Sequence, residues 1–162
     1  MSHAFFPANQ PAPEITLEAV ESGRVITPHS PDARYLALVF QSQKTARALA
    51  DVQDTVRAKH PAADDVRIVS VVDLREVPRM FRGMAKSALK RAYESAGAHL
   101  PEGWAPQDYV VILPDWKGEF FDAFGLKDAN EEAAAVVIDA QGRVLGSHQG
   151  AGLGQFVLEA LD

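Results

Sequence analysis

The chain of 162 residues contains no cysteine. That absence excludes disulfides, thiolate metal sites and every mechanism built on a cysteine nucleophile. Long apolar runs are missing too: no stretch approaches the ~20 residues that a membrane-spanning helix needs. The opening residues Met1-Ser-His-Ala-Phe-Phe-Pro7 lack a basic region followed by an apolar one. No secretory leader is therefore expected, and a cytoplasmic location is the default. Paired histidines are also absent: His3, His29, His60, His99 and His148 stand too far apart to gather a metal. Asp115, Asp122 and Asp128 do not form a calcium loop. The sequence calls for neither a metal nor a cofactor.

What is present is an ordinary globular composition with a net charge of −6. An acidic chain is not expected to bind nucleic acid. The length suits one domain over residues 1–162, with residues 1–8 expected to be loose. Glu14-Ile-Thr-Leu-Glu18 and Gly23-Arg-Val-Ile-Thr27 flank a turn and predict a short β-hairpin. Tyr35–Phe40 is a continuous apolar run, as a buried central strand requires, and Val66–Asp73, rich in β-branched residues, reads as a second buried strand. Between them Thr45, Leu49, Val52 and Val56 recur at helical spacing, with Ser42 placed to cap the helix and Pro61 to end it. Pro78 opens a second helix whose apolar positions Phe81, Met84, Ala85, Ala88, Leu89 and Ala92 form one stripe. A loop over 97–107, a strand Tyr109–Leu113 and a short helix over 118–124 follow. Strands Ala134–Ile138 and Arg143–His148 and a last helix Gln155–Leu161 complete the chain. Alternation of strand and helix implies right-handed parallel crossovers, and the late hairpin adds antiparallel pairs. The predicted architecture is α/β: a mixed central sheet with helices on both faces and an N-terminal β-hairpin.

Four segments in this order carry a resemblance. Pro11-Ala-Pro-Glu-Ile-Thr-Leu17, Val69-Ser-Val-Val-Asp73, Leu113-Pro-Asp-Trp-Lys-Gly118 with Ala123-Phe-Gly125, and Val136-Val-Ile-Asp-Ala-Gln-Gly142 are similar to the thioredoxin-like superfamily. Within it they resemble the alkyl hydroperoxide reductase/thiol-specific antioxidant, or peroxiredoxin-like, branch and the cytochrome-maturation thioredoxin branch, the Leu113–Gly125 segment looking like the peroxiredoxin type. The resemblance implies a redox-active cysteine shortly after the first central strand, at the start of the next helix. Counting on from Phe40, that place falls on Thr45, with Ala48 behind it and Ser42 before it. The peroxidatic Pro-x-x-x-Thr/Ser-x-x-Cys pattern is missing from 41–47 as well. The family's cis-proline, just before the later strand, corresponds to Ala133. A non-proline residue pays about 2.5–4 kcal/mol to stay cis, so a trans peptide is expected there. Ser42, Thr45, Ala48 and Ala133 thus mark a degenerate redox site, and thiol catalysis is impossible.

Other candidate contacts come from the residues alone. Thr45 sits where a helix N-terminus could hold an anion, although a plain helix-start role explains it as well. Arg79, Arg82, Lys86 and Lys90 share one helix face, flanked by Arg75 and Arg91. Such a face could meet an anionic ligand, an acidic protein or a membrane surface; a solvated face is the plainer reading. Trp116 and Asp115 follow a strand's carboxyl end, where ligands of open α/β sheets bind. The phenylalanines of 120–124 are expected in the core. Gly150-Ala-Gly-Leu-Gly154 lacks the residues of a phosphate loop and reads as a turn into the last helix. The function expected is a non-redox binding or interaction module, its partner an unknown protein or anionic ligand, with homodimerisation open. The alternative is an antioxidant or oxidoreductase role through a cofactor or a cysteine-bearing partner.

Overall fold

The computed structural model describes residues 3–162. A two-stranded ribbon pairs β1 (Leu17–Glu18) antiparallel with β2 (Val25–Ile26), shorter than the hairpin predicted. The main sheet comprises β3 (Tyr35–Gln41), β4 (Val66–Asp73), β5 (Ile112–Asp115), β6 (Ala134–Asp139) and β7 (Val144–Gln149). Their spatial order is β5-β4-β3-β6-β7. β3, β4 and β5 run parallel; β6 is antiparallel to both β3 and β7. β3 lies at the centre with neighbours on both edges, which is why its residues Leu36–Phe40 are almost wholly buried.

The helices divide between the two faces. α1 (Ala48–Arg57) and α5 (Leu153–Ala160) pack on one face, where Val52, Val56, Leu153 and Val157 meet Ala37, Val39, Ile68 and Val137. α4 (Glu119–Ala123) covers the other, its Phe120 and Phe121, with Phe124, packed against Leu38, Phe40, Val71 and Leu113. Phe40 meets Phe121 and Phe124 edge-on at 5.2 and 5.6 Å, a favoured aromatic geometry. α5 approaches α1 closely because of Gly154: a Cβ there would sit 2.6 Å from Thr55 Oγ1 and 2.8 Å from the Asp51 carbonyl. The turn before it is led by Gly152 at φ +74°, so the glycines of 150–154 serve as turn and helix start.

Four expectations are corrected. The N-terminal stretch is docked from His3 onward rather than loose, residues 1–2 lying outside the described ones. His3 pairs with Gln149, and the amides of Phe5 and Phe6 donate to Ser147 Oγ at 3.0 and 2.9 Å. Their rings reach Phe40 and Phe124, so two aromatics in an otherwise polar tail anchor it. Tyr109 belongs not to a strand but to a short helix α3 (Pro106–Tyr109), started by its proline, and β5 begins three residues later. A tight 3₁₀ turn over Gln43–Thr45 delays α1 to Ala48. The largest departure is α2 (Arg82–Ala98). Its apolar stripe is regular, yet it buries no residue, and Phe81 and Met84 are 47% and 69% exposed. Three of the six stripe positions, Ala85, Ala88 and Ala92, are alanine, and burial free energy scales with apolar area. Periodicity identifies a face; it does not supply the area that docks it.

Candidate functional site

The place of the family thiol is closed by short hydrogen bonds. Ser42 is buried at the end of β3, and its hydroxyl accepts from Lys44 N–H at 3.2 Å. Thr45 Oγ1 accepts from Ser42 N–H at 3.0 Å and donates to the Ala129 carbonyl at 2.7 Å. The pair forms a reciprocal cap on the 3₁₀ turn. With donor and acceptor both engaged, the Thr45 hydroxyl is committed to holding the loop of Ala129 against the end of β3. It does not stand free to receive an anion. Ala48, half-buried, begins α1 behind it.

Ala133 completes the same region from the other side. The described residues contain no cis peptide, so the bond before Ala133 is trans as expected. Its methyl is 5% exposed and joins the core formed with α1 and α5, and its carbonyl accepts from Gly150 N–H at 3.0 Å. Thr45 and Ala133 are thus held by hydrogen bonds and core packing, while Ser42 lies on the wall of the cleft under α2. The four positions bring no cysteine, histidine or carboxylate, and the described residues hold no group of three or more His, Asp or Glu placed to bind a metal.

The basic stripe and Trp116 are brought together. Arg82 and Lys86 lie over the Trp116 ring at 5.5 and 6.0 Å from its centroid, bridging α2 to the β5–α4 turn. Arg79 and Lys90 continue the exposed face without reaching the ring. From 77 to 93 the chain has no acidic residue, while Arg79, Arg82, Lys86, Lys90 and Arg91 bring five positive charges. None of the five is in an ion pair among the described residues.

Asp115 is not a pocket-edge residue but a buried cap. Its carboxylate accepts from Glu119 N–H and Phe120 N–H, each at 2.9 Å, and from Phe121 N–H at 3.3 Å. Burial pushes its carboxyl above the ordinary value, and those three N–H donors and the Arg75 charge pull partly back. Arg75 itself forks onto Asp73, Nε to Oδ1 at 2.9 Å and Nη2 to Oδ2 at 2.7 Å. Nη2 also donates to the Lys127 carbonyl at 2.8 Å, and the guanidinium covers Phe121 at 4.9 Å. Burial raises the Asp73 carboxyl, but the Arg75 side chain, backbone N–H and charge outweigh it, so its pKa lies below the ordinary value. Gly118 at φ +73° makes room for Arg75, since a Cβ would collide with that side chain.

Solved structures share this arrangement along nearly their whole length. The pneumococcal exposed lipoprotein thioredoxin of Streptococcus pneumoniae is 19% identical, with 91% of this chain and 96% of that one covered at a TM-score of 0.60. A DsbF homologue from Corynebacterium diphtheriae is 17% identical, with 99% and 91% covered at 0.61. The fold is thioredoxin-like. A thioredoxin-like protein from Aeropyrum pernix is 13% identical, with 91% and 87% covered at 0.56. At such identities the likeness establishes the fold alone. No family model matches the chain, and no curated protein matches it.

A thioredoxin-like domain without cysteine cannot perform thiol redox chemistry. A cleft opens beside Ser42 and runs between α2 and the sheet, past Gln41 and Ser70. Neither was singled out from the sequence as a site residue. Gln41 ends the apolar run of β3 and Ser70 interrupts β4, each with a neutral polar side chain, and that was the available signal. No helix among the described residues is long and apolar enough to cross a membrane.

Proposed function

We propose that the chain is a non-redox binding module, a peroxiredoxin-type scaffold that uses α2 rather than the former thiol position as its contact element. One observation carries this reading. α2 buries no side chain, yet it and the turn leading into it present five cations in no ion pair, along the acid-free stretch 77–93 of a chain whose net charge is −6. A helix serving only to cover the sheet would bury its stripe, as α1 and α5 do. Concentrated positive charge with no internal partner suits an acidic protein segment or an anionic ligand. Trp116 adds a flat apolar surface beside Arg82 and Lys86, and Met80, 81% exposed, adds another. The β5–α4 segment Leu113–Gly125, where Trp116 sits, is what favours the peroxiredoxin-type branch.

Retention on immobilised polyglutamate tests the contact surface. At low ionic strength the wild type is retained despite its net charge, and retention falls away with salt. Arg79→Glu combined with Lys86→Glu runs through. Equal retention of wild type and double variant refutes the proposal for this helix. A parallel disulfide-reductase and peroxidase assay, with thioredoxin or glutathione as donor, gives no turnover; clear catalysis favours the oxidoreductase alternative.

A further inference from the structure

α2 stands over the sheet without closing on it. A cleft of about 1320 Å³ runs between α2, α1 and the β4–β5 half of the sheet. Its walls are mainly apolar, with Leu49, Ile68, Val72 and Ile112 on one side and Met84 and Leu89 of α2 on the other. Ser70 and Gln41 also line it, at 2% and 7% exposed. The register sets Ser70 beside Val39 and Gln41 beside Val72, so the two residues share a sheet face on adjacent strands. Ser70 Oγ and Gln41 Oε1 have no hydrogen-bond partner among the described residues. The other buried neutral polar side chains, Ser42 and Ser147, are both hydrogen-bonded.

An unmade buried hydrogen bond costs about 1–3 kcal/mol, so two such oxygens in one wall call for an explanation. We infer that the cleft binds a neutral, largely apolar small molecule carrying one amide or hydroxyl group. That group donates to Gln41 Oε1 and accepts from the Ser70 hydroxyl, Gln41 turning about its side-chain torsions to meet it. Neutrality follows from the wall: an ionised head pressed against Ser70 and Gln41 would lose its hydration and meet no opposite charge there. Of the charged residues lining the cleft, Lys44, Glu76 and Arg91 are exposed and Asp73 is already held by Arg75. The volume exceeds the usual ~300–1,000 Å³ of ligand sites, which favours a long chain or a fused-ring body over a compact metabolite.

The test is displacement of N-phenyl-1-naphthylamine fluorescence from the full chain by dodecanamide, dodecan-1-ol and dodecanoate, each below its aggregation concentration. Amide and alcohol displace the probe, and dodecanoate at pH 8 is weaker by about tenfold or more, the equivalent of one buried polar mismatch. Ser70→Ala with Gln41→Leu still binds the probe but loses about tenfold or more for the amide. This variant melts no lower than wild type, because it removes unpaired groups only. Ala88→Trp, placed on the open helix, keeps the wild-type circular dichroism and excludes the probe. Dodecanoate binding as tightly as the amide overturns the inference, as does unchanged amide affinity in the double variant. So does a wild type that binds none of these molecules. Polyglutamate retention reads the outer cations and does not involve Ser70 or Gln41, so the two proposals fail separately.

Discussion

The two parallel crossovers of the sheet lie on the same face and do opposite things with it. β3–α1–β4 buries Val52 and Val56 completely and presses α1 against α5 through Gly154. β4–α2–β5 buries nothing on its helix and leaves a cleft beneath it. In the resemblance, chemistry belongs to the start of the first crossover; here that place is tied by hydrogen bonds, and the cleft opens beside it, under the second crossover. The unsatisfied oxygens Gln41 Oε1 and Ser70 Oγ lie where the two crossovers meet. Function is better sought where burial and hydrogen bonding are incomplete than where a fold's usual site lies.

The sharpest way to break this comparison is to truncate one side chain from each helix. Val56→Ala removes two methyl groups from a fully buried site and should cost about 2–3 kcal/mol in urea unfolding. Met84→Ala, on the exposed stripe, should fall within about 0.5 kcal/mol of wild type. Comparable losses would mean that α2 packs on the sheet in solution and that the cleft does not persist.

The next contrast uses one substitution with opposite signs. Gly154→Ala drives a Cβ into Thr55 and the Asp51 carbonyl and should destabilise by about 1–3 kcal/mol. Gly83→Ala in α2 meets nothing within 4 Å and should stabilise by roughly 0.5 kcal/mol through helix propensity. Thermal unfolding of both variants reads the signs directly. Smaller again is Thr45→Ala, which leaves Ser42 N–H and the Ala129 carbonyl without their partner. A loss of about 1 kcal/mol is expected, with no change in polyglutamate retention. A change in retention would return ligand binding to the degenerate site.

These contrasts also show where the sequence was legible. β3 announced itself because its run Tyr35–Phe40 is apolar throughout, and β4 because β-branched residues fill most of its positions. The degenerate site was legible for the same kind of reason: each position is an identity read directly from the chain, and Ala133 carries its trans peptide with it. The hydrogen bond that ties Thr45 down was not legible, because it depends on Ala129, a residue 84 positions away and unremarkable in itself. Asp115 looked like a pocket residue because its position at a strand end is common to ligands and to helix caps. Only the three N–H donors of α4 distinguish the two. The stripe of α2 misled in the other direction, since an amphipathic pattern is the same whether or not its face is covered.

The smallest effect concerns acid. Asp73 ends β4 at the threshold of the open crossover, and its folded pKa lies below its unfolded value of about 3.9. A carboxylate depressed on folding contributes stability above its unfolded pKa, and that contribution is lost as pH falls through the folded one. The wild type should therefore lose a modest increment below about pH 4 that Asp73→Asn lacks from the start. Urea unfolding at pH 7, 5, 4 and 3 should show the two curves converging as the solution becomes more acid. Met84→Ala provides the control, for α2 carries no acid between 77 and 93 and its offset from wild type should not vary with pH. Curves for Asp73→Asn that stay parallel to wild type down to pH 3 would show that Arg75 does not hold Asp73 ionised. The fork seen between them would then be a surface contact with no bearing on how the second crossover is anchored.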